Sequence, residues 1–493
     1  MLETDKPGVS FCQVRDKTAA LASRLMERCL NSTITLNNAI DVFEMLQALT
    51  SEIISVQTGY SYVCKLIKSR ENRKKALESF LYSDKYVIHW FEEYGFGLRA
   101  LVPIEEDYKL IRLPRRSMFC LENSSTILKE FIAQDTLASN MENIALCLCL
   151  LGELYRGDES AWQDYIKTLP SDYSTFLYMN AADIRLVKGS PIIEKIASNF
   201  LLICRHYAYF CCRFLKNPKV LNIPNFIFCF DDYKWAVSTV MSRSNYIPHL
   251  NGRDKIMCLI PVWDMMNHKS SHVTTHYDLE VDELIFSTME AYKPGDQIFM
   301  DYGKRSNEDF FMFSGFVPKV NPDNKLTITL GISSSDSLAS TRKQLLQTLN
   351  LNVPLKCDLR GNIGSMTEFF IFSRVFSMDK DELNKYLLDV ELNCEMVKSR
   401  LSNFKFQKEI VSESKAFSFM VNRLKLLIAA YRTVLSEDNP QWNQLTSIQQ
   451  NCERLKYYEI VILRSSIKHI QSIMDTSCED INDELLVTSK ENL

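Results

Sequence analysis

The composition of the chain is that of an ordinary globular protein. Of its 493 residues, 46% are hydrophobic and 24% are charged, which excludes a chain that is disordered throughout and a fibrous repeat. The formal net charge is −4, so a protein that works by covering nucleic-acid phosphates is not favoured, and we expect no nucleic-acid partner. At about 150 residues per domain, the length predicts roughly two to four domains.

The cysteines and the N-terminal residues both indicate a reducing compartment. The 15 cysteines are scattered from Cys12 to Cys478 and form no CxxC pair, so we expect buried thiols rather than zinc ligands. The first residues, MLETDKPGVSF, lack the pattern of a signal peptide. The longest apolar run, Ile144–Gly152, is shorter than the roughly 20 residues that span a bilayer. We therefore expect a cytoplasmic protein with no membrane partner, and nuclear entry is left open.

The first half of the chain alternates between helical and β-type patterns. Apolar residues recur at helical spacing over residues 15–82, where the basic run Lys68–Lys75 is either a solvated helix face or a contact for an anionic group. From about residue 86 the residues are β-type around the turn Gly95–Gly97. Residues 124–216 are predicted to be mainly helical, with amphipathic helices at Asn143–Tyr155 and Ala197–Leu215.

The second half predicts a return of strands and then a helical domain. Residues 255–301 contain β-type runs and a turn at Lys293–Asp296. No glycine follows Gly364, and Pro440 is the one proline after it, so residues 365–475 are predicted to be helical. The fold class is therefore a mixed α/β (α+β) body interrupted by helices, followed by an all-helical C-terminal domain. A boundary is expected near 320–345, in a turn-rich stretch that leads into a short strand, and a polar acidic tail is expected from about residue 476.

Two stretches stand out chemically: PVWDMMNH (Pro261–His268) and GDQIFMDYGKR (Gly295–Arg305). Taken singly, their residues have ordinary structural interpretations, such as a capping aspartate or a core tyrosine with a partnered hydroxyl. Their combination is more specific, because Asn267-His268 is followed 34 residues after the histidine by Tyr302, at the end of an apolar strand and before a glycine.

This order of motifs resembles the signature of SET-domain protein methyltransferases. The upstream YGFGLRA (residues 94–100) matches the first strand of that family, and the helical segments match its subfamily similar to the Rubisco large-subunit methyltransferase. The resemblance covers about residues 70–475. It implies an N-terminal helical segment at 1–85, a SET domain at 86–320 with a helical insertion at about 124–235, a C-terminal helical substrate-binding domain at 321–475, and a polar tail at 476–493.

The chain departs from many SET enzymes in its cysteines. Those enzymes close the site with a zinc-binding cysteine cluster after the SET domain, whereas here the next cysteine after Tyr302 is Cys357, which has no close partner in the sequence. We therefore expect no metal. The helical C-terminal domain is expected to close the site instead.

The resemblance extends to the branch of this subfamily that methylates a histidine of actin. WAVSTVMSRSNYIP (residues 235–248) and YGKRSNEDFFMFSGF (residues 302–316) both match that branch. Asn245 occupies its acceptor-pocket position, where lysine-directed relatives tend to have an aromatic or apolar residue. The resemblance implies S-adenosylmethionine as cofactor and actin as protein substrate. Nothing in the sequence argues for more than a monomer, so we expect one.

The resemblance also assigns roles residue by residue. It implies that Tyr302 and Asn245 are catalytic and that Trp263, Arg305 and Arg205 bind the substrate. The implied cofactor-binding residues are Arg73, Tyr94, Gly95, Phe96, Arg243, Asp264, Met265, Met266, Asn267, His268, Ser314, Gly315 and Phe316.

Three functions remain open on the sequence alone. The first is a protein-histidine methyltransferase that acts on actin and methylates the tele nitrogen of the ring. The second is a protein-lysine methyltransferase of the same fold, which Asn245 distinguishes from the first. The third is a catalytically silent SET-like binding module. The presence of Asn267, His268 and Tyr302 argues against it, because a silent module would not need to keep them.

Overall fold

The structure is a computed structural model that describes residues 11–66, 73–77, 83–221, 227–249, 254–431 and 433–475. These residues form two compact units. The first contains the described residues up to Ala182 together with Glu194–Arg305 and Asp309–Pro322. The second contains Asp183–Ile193, Ser306–Glu308 and the chain from Asp323 onward.

Helices and strands alternate along the first unit, and helices dominate the second. The helices of six or more residues are α1 (Phe11–Leu30), α2 (Ala39–Val56), α3 (Thr126–Gln134), α4 (Glu142–Arg156), α5 (Gln163–Thr168), α6 (Ala181–Leu186), α7 (Ile192–Lys216), α8 (Phe230–Arg243), α9 (Ala339–Thr348), α10 (Thr367–Ser377), α11 (Lys380–Leu392), α12 (Cys394–Ser402), α13 (Val411–Ala430) and α14 (Ser447–Asp475). The strands are β1 (Tyr86–Phe91), β2 (Gly95–Ala100), β3 (Lys109–Pro114), β4 (Phe119–Cys120), β5 (Ser244–Pro248), β6 (Lys255–Leu259), β7 (Asn267–His268), β8 (Thr275–Asp278), β9 (Glu283–Ser287), β10 (Gln297–Met300), β11 (Leu326–Leu330) and β12 (Leu355–Leu359).

A four-stranded sheet in the order β1-β2-β10-β7 brings the two sequence motifs together. The hairpin β1–β2 turns at Gly95, whose φ of +76° is one that glycine adopts without strain. Strand β10 pairs antiparallel with β2 and parallel with β7. In that ladder Met300 lies opposite His268, so the strand leading to Tyr302 runs beside the Asn-His pair.

Two three-stranded sheets complete the β part of the first unit. Their orders are β4-β6-β5 and β3-β9-β8, and all of their pairings are antiparallel. Strand β5 lies at the edge of its sheet and holds Asn245 opposite Cys258. Strand β8 is likewise an edge strand and begins at Thr275.

The predicted helices of the insertion are present, but one of them is not amphipathic. Helix α4 covers the predicted Asn143–Tyr155, yet every residue from Ile144 to Leu151 is buried. Eight consecutive apolar residues cover the whole circumference of a helix, so α4 packs on all sides and the amphipathic prediction is wrong. Helix α7 contains the predicted Ala197–Leu215 and has a clear apolar face.

The second unit is not all-helical, which corrects the sequence prediction. Strands β11 and β12 form an antiparallel pair, with Ile328 opposite Cys357. Both strands alternate buried and exposed residues, and this period of two is what makes them a half-buried sheet. Beyond them the helical prediction for 365–475 is confirmed by α10–α14, whose core includes Phe369, Leu424 and Leu463.

Some predictions fall wholly or partly outside the described residues. The polar tail at 476–493 is one, and most of the basic run Lys68–Lys75 is another. The predicted domain boundaries stay predictions. Among the described helices, none combines the length and the hydropathy needed to cross a membrane.

Candidate active site

Tyr302 and His268 are in direct contact although they lie 34 residues apart in the sequence. The Tyr302 backbone N–H donates to Nδ1 of His268 at 3.2 Å, and the Tyr302 hydroxyl donates to the carbonyl oxygen of Met266 at 2.8 Å. The two rings lie 5.1 Å apart. The parallel pairing of β10 with β7 makes these contacts possible, because it aligns the residues that follow both strands.

Burial keeps both of these rings uncharged at neutral pH. It raises the pKa of Tyr302 to about 12, although Arg243 acts in the opposite direction. It lowers the pKa of His268, although Asp301 favours the charged form. The rings of Phe310 and Phe316 lie 4.6 and 6.2 Å from the imidazole and exclude water from one side of it. The pair is therefore suited to shape and orientation rather than to proton transfer.

The Asn267 side chain connects the Asn-His pair to the first hairpin. Its Nδ2 donates to the Phe96 carbonyl oxygen at 3.1 Å. A methyl group at Gly97 would lie 2.7 Å from this Nδ2, so only glycine allows β2 to approach so closely. Tyr94 is half exposed, and its ring packs 5.2 Å from Phe299.

Arg243 and Asp264 form a buried ion pair beside this cluster. Nη1 of Arg243 donates to the Asp264 carbonyl oxygen at 2.8 Å and lies 3.5 Å from Oδ2 of the same residue. The Tyr165 hydroxyl donates to that Oδ2 at 2.7 Å. Burial raises the pKa of Asp264, while Arg243 and the Tyr165 hydroxyl act to lower it. Burial lowers the pKa of Arg243, but Asp264 together with the tyrosines around the guanidinium outweighs that effect, so the pKa is raised.

A second guanidinium, that of Arg73, belongs to the same group of charges. Nε of Arg73 donates to the Thr168 carbonyl oxygen at 2.8 Å, and its guanidinium lies 5.1 Å above the Phe96 ring. Burial lowers the pKa of Arg73 to about 10, and the positive charge of Arg243 lowers it further. The structure thus places Arg73 beside the hairpin that the sequence assigned to the cofactor.

These charges fit the amino-acid end of S-adenosylmethionine. Asp264 acts on both guanidinium groups and Asp172 also acts on Arg73, so the cluster suits a group that itself carries both a negative and a positive charge. Nε of Arg243 and Oδ1 of Asp264 are buried, and among the described residues neither has a hydrogen-bond partner. A carboxylate could accept from the first and an ammonium could donate to the second. The Phe96 ring lies beside Arg73, the Asn267 amide contacts the Phe96 backbone, and the Phe316 ring lies beside Tyr302.

A cavity of about 330 Å³ brings together both predicted catalytic residues and two of the three predicted substrate-binding residues. Its walls come from the end of α8, from β5, from the turn before β7, from β8 and β9, and from the segment after β10. The residues that line it are Met241, Ser242, Arg243, Ser244, Asn245, Tyr246, Ile247, Trp263, Asp264, Val273, Thr275, His276, Tyr277, Leu284, Met300, Asp301, Tyr302, Gly303 and Arg305.

Asn245 and Trp263 bound this cavity from different elements. Oδ1 of Asn245 accepts a hydrogen bond from the Tyr246 backbone N–H at 2.8 Å, which fixes the orientation of the amide. The indole N–H of Trp263 donates to Oγ1 of Thr275 at 3.0 Å, so the buried ring is held against β8. Both side chains are therefore positioned without a ligand.

Arg305 links the cavity to the segment that the sequence assigned to the cofactor. Its Nη1 donates to Oγ of Ser314 at 3.4 Å. Burial lowers the pKa of Arg305, and Tyr302 and Asp309 act against that effect. Gly315 has a φ of +79°, and a methyl group there would lie 3.0 Å from the Ser174 backbone. This turn places the Phe316 ring 6.2 Å from the Tyr302 ring.

Arg205, the third predicted substrate-binding residue, is not among the described residues that line the cavity. It lies on α7, half-buried, and its positive charge lowers the pKa of the Cys29 thiol against the larger effect of burial. Met265 and Met266 are buried in the turn before β7. Sδ of Met265 lies 3.8 Å from Nη1 of Arg243.

Sequence reasoning missed three residues of the site. Tyr165 and Tyr173 come from the helical insertion, and the Tyr173 hydroxyl lies 2.8 Å from Oγ1 of Thr239. Thr275 holds the Trp263 indole. No local pattern marks any of them, because their partners lie up to 99 residues away in the chain. Among the described residues, no group of three or more metal-ligating side chains is present.

Comparisons with known proteins agree with this geometry. The family model of the SET domain matches residues 95–303, and the model described as Rubisco LSMT substrate-binding matches residues 333–463. Rubisco LSMT bound to AdoMet has a similar structure, with a TM-score of 0.62 at 17% identity over 86% of this chain and 100% of that chain. At that identity the likeness shows the fold alone.

Two relatives of known activity are closer in sequence. The mouse protein named actin-histidine N-methyltransferase is 31% identical over 430 residues, which are 85% of this chain and 71% of the mouse protein. The Xenopus tropicalis protein of the same name is 31% identical over 459 residues, or 91% of this chain and 78% of the frog protein.

The chain therefore belongs to the SET-domain protein methyltransferases, a family that uses S-adenosylmethionine. Within it, the chain groups with the relatives named actin-histidine N-methyltransferase. The predicted family and the mixed α/β SET fold are confirmed, and so is the cofactor predicted for this family.

Proposed function

We propose that this protein transfers one methyl group from S-adenosylmethionine to the tele nitrogen of a histidine in actin. The observation that supports it most is the shared cavity, which Asn245, Trp263, Tyr302 and Arg305 all line. The names of the mouse and frog relatives support actin as the substrate.

Histidine is an acceptor that needs no strong base. An imidazole with a pKa of about 6.5 is roughly three-quarters neutral at pH 7. A lysine with a pKa of about 10.4 is neutral in about one molecule in 2,500, and removing its proton costs about 4.6 kcal/mol at that pH. The raised pKa of Tyr302 fits the first case, because a phenol that stays protonated can orient an acceptor but cannot deprotonate it.

The remaining task of a histidine methyltransferase is to select the ring tautomer. Attack by the tele nitrogen requires its lone pair, so the other ring nitrogen must hold the proton. That N–H needs an acceptor in the cavity. Oδ1 of Asn245 already accepts from the Tyr246 N–H and has a second lone pair, so it would accept the imidazole N–H without adding charge.

The other cavity residues would hold the peptide and the cofactor. Trp263 would form a wall for the imidazole, and Arg305 and Arg205 would bind carbonyl or carboxylate groups of the substrate. The cofactor, when bound, supplies an electrophilic methyl group on a sulfonium. Arg73 and Arg243 would bind its carboxylate, and Asn267, His268 and Phe96 would line the rest of its site.

Transfer of labelled methyl groups to unmethylated actin tests the proposal. We expect the wild-type chain to label actin. The Tyr302→Phe and Asn245→Ala variants should each lose about five- to thirtyfold in rate, since one hydrogen bond at the acceptor is worth roughly 1–2 kcal/mol. The Asn245→Phe variant should shift the remaining activity toward lysine, because an aromatic wall suits an ammonium.

Two matched variants control for general effects on the fold. Asn199→Ala removes a half-buried amide on α7 that bonds only to the Lys195 carbonyl oxygen among the described residues. Tyr233→Phe removes a buried hydroxyl on α8 that lacks a hydrogen-bond partner in the described part of the chain. Both should retain wild-type activity. No labelling of actin, with cofactor binding intact, would overturn the proposed substrate.

A cytoplasmic location, binding to actin and a monomeric state are part of the same proposal. Fractionation of cells that express the tagged chain tests the first. Co-sedimentation with unmethylated actin tests the second, and light scattering of the purified chain tests the third.

A further inference from the structure

Helix α5, although it has only six residues, contacts Arg73 and also Asp264, the ion-pair partner of Arg243. The hydroxyl of Tyr165 donates to Oδ2 of Asp264, the partner of Arg243. The carbonyl oxygen of Thr168, one turn further along, accepts from Nε of Arg73. Helix α5 belongs to the helical insertion rather than to the SET strands, so the insertion contributes to the geometry of the site.

The Tyr165 contact is fully enclosed. Tyr165 is 1% exposed and the Asp264 side chain is 0% exposed, so no solvent competes for the 2.7 Å hydrogen bond between them. The Trp162 ring, 6.4 Å from the Tyr165 ring, packs on the same helix. Thr168 donates its hydroxyl to the Tyr165 carbonyl oxygen at 2.6 Å and fixes the end of that turn.

The Asp264 carboxylate has few other partners. Its second oxygen, Oδ1, has no hydrogen-bond partner in the described part of the chain, and Oδ2 is 3.5 Å from Nη1 of Arg243, which is long for a hydrogen bond. The Tyr165 hydroxyl is thus the one short side-chain hydrogen bond that orients this carboxylate among the described residues. Without it, the carboxylate can rotate toward Arg243 and satisfy the guanidinium internally.

We propose that Tyr165 is a positioning residue that holds the Asp264 carboxylate so that Arg243 stays directed at the carboxylate of the cofactor. It does not touch the reacting atoms; it acts through Asp264 on Arg243. The inference rests on the proposed function, because it assumes that the amino-acid end of S-adenosylmethionine binds beside Arg243.

Calorimetric binding of two ligands to the Tyr165→Phe variant tests this role. S-adenosylhomocysteine contains the amino-acid end, whereas 5′-methylthioadenosine has the same nucleoside and thioether without it. We expect the variant to bind S-adenosylhomocysteine roughly tenfold more weakly than the wild type, the value of one hydrogen bond to a charged group. Its affinity for 5′-methylthioadenosine should change less than twofold. In steady state, KM for S-adenosylmethionine should rise while kcat changes little.

Tyr233→Phe is the matched control. It removes the same group from a tyrosine that is 0% exposed, and its hydroxyl has no hydrogen-bond partner among the described residues. This variant should bind both ligands as the wild type does.

The possible results separate the two proposals. Equal weakening of both ligands by Tyr165→Phe would show a loosened site and overturn the positioning role. Unchanged affinity for S-adenosylhomocysteine would also overturn it, while leaving the methyltransferase proposal intact. If the wild-type chain bound neither ligand, the proposed function would fail together with this inference.

Discussion

At the scale of single residues, the candidate site depends on groups that remain uncharged. Tyr302 donates its hydroxyl to a backbone carbonyl, and His268 accepts a backbone N–H through Nδ1. Both bonds need the protonation states that burial favours: a protonated phenol and a neutral imidazole. Because neither group changes its charge near pH 7, the titration of the substrate should govern the rate.

The pH dependence of the methyl-transfer rate is the first prediction. The rate should rise as the acceptor imidazole loses its proton near pH 6.5 and should reach a plateau above about pH 7.5. Tyr302, with a pKa near 12, adds no further step below about pH 10. Single-turnover rates between pH 5.5 and 9.5 measure this profile. A tenfold rise per pH unit that continues to pH 9.5 would contradict it and would indicate a lysine acceptor.

The site residues differ in how well the sequence alone could identify them. Asn267, His268 and Tyr302 lie in contiguous motifs, because one strand pairing sets their relative positions. Tyr165 contacts Asp264 across 99 residues. Only the packing of the helical insertion brings those two together, and no periodicity within one chain encodes such a contact.

At the scale of elements, the close approach of β2, β10 and β7 in one sheet is what positions the cofactor-binding residues. Strand β2 pairs with β10, and Asn267 on β7 reaches the Phe96 carbonyl oxygen. The strands were predictable from their β-type residues and turns. The full burial of α4 was not predictable, because a short apolar run fits a buried helix and a buried strand equally well by periodicity. The short strand predicted in the boundary region corresponds to β11, whereas β12 was missed because it is short and lies between turns.

Substitution of Gly97 by alanine tests the importance of this close approach of the strands. A methyl group there would lie 2.7 Å from Nδ2 of Asn267 and 2.8 Å from Nε2 of Gln297. The Asn267 amide must then leave the Phe96 carbonyl oxygen, which costs about 1–3 kcal/mol for the unsatisfied group. We expect S-adenosylhomocysteine to bind at least about fivefold more weakly, as measured by calorimetry.

Gly331→Ala is the control for this substitution, because a methyl group at Gly331 meets nothing within 4 Å. It should bind S-adenosylhomocysteine with wild-type affinity. Wild-type affinity in Gly97→Ala would show that the Asn267 contact is unimportant for the cofactor site.

At the scale of the whole molecule, the described residues form two compact units. The second unit contains an unusual buried acid, Glu459 on α14. Its carboxylate accepts from Oγ of Ser190 at 2.9 Å and from the Tyr431 hydroxyl at 3.0 Å. Glu308 and Lys456 are the charged groups that act on it. Burial raises the pKa of Glu459 to about 8, despite both hydrogen bonds.

The raised pKa of Glu459 determines how this residue affects stability as the pH changes. An acid whose pKa is higher in the folded state than its unfolded value of about 4.3 favours folding most below pH 4.3. That contribution is lost as the pH rises to about 8. Between pH 5 and 8 the free energy of unfolding of the wild type should therefore fall by about 3 kcal/mol relative to Glu459→Gln.

Urea unfolding of both proteins at several pH values measures this difference. Glu391→Gln, which neutralises an exposed glutamate on α11 of the same unit, should follow the wild type. A pH dependence that Glu459→Gln does not change would mean that Glu459 is ionised in the folded protein.

The most direct test of the central claim is to locate the transferred methyl group. Tandem mass spectrometry of unmethylated actin, treated with the wild-type chain and S-adenosylmethionine, identifies the modified residue. The account predicts a single methyl group on a histidine ring, which Tyr302→Phe should add several-fold more slowly than the wild type. A methyl group on lysine would contradict it, and would assign the cavity formed by Asn245 and Trp263 to a different acceptor.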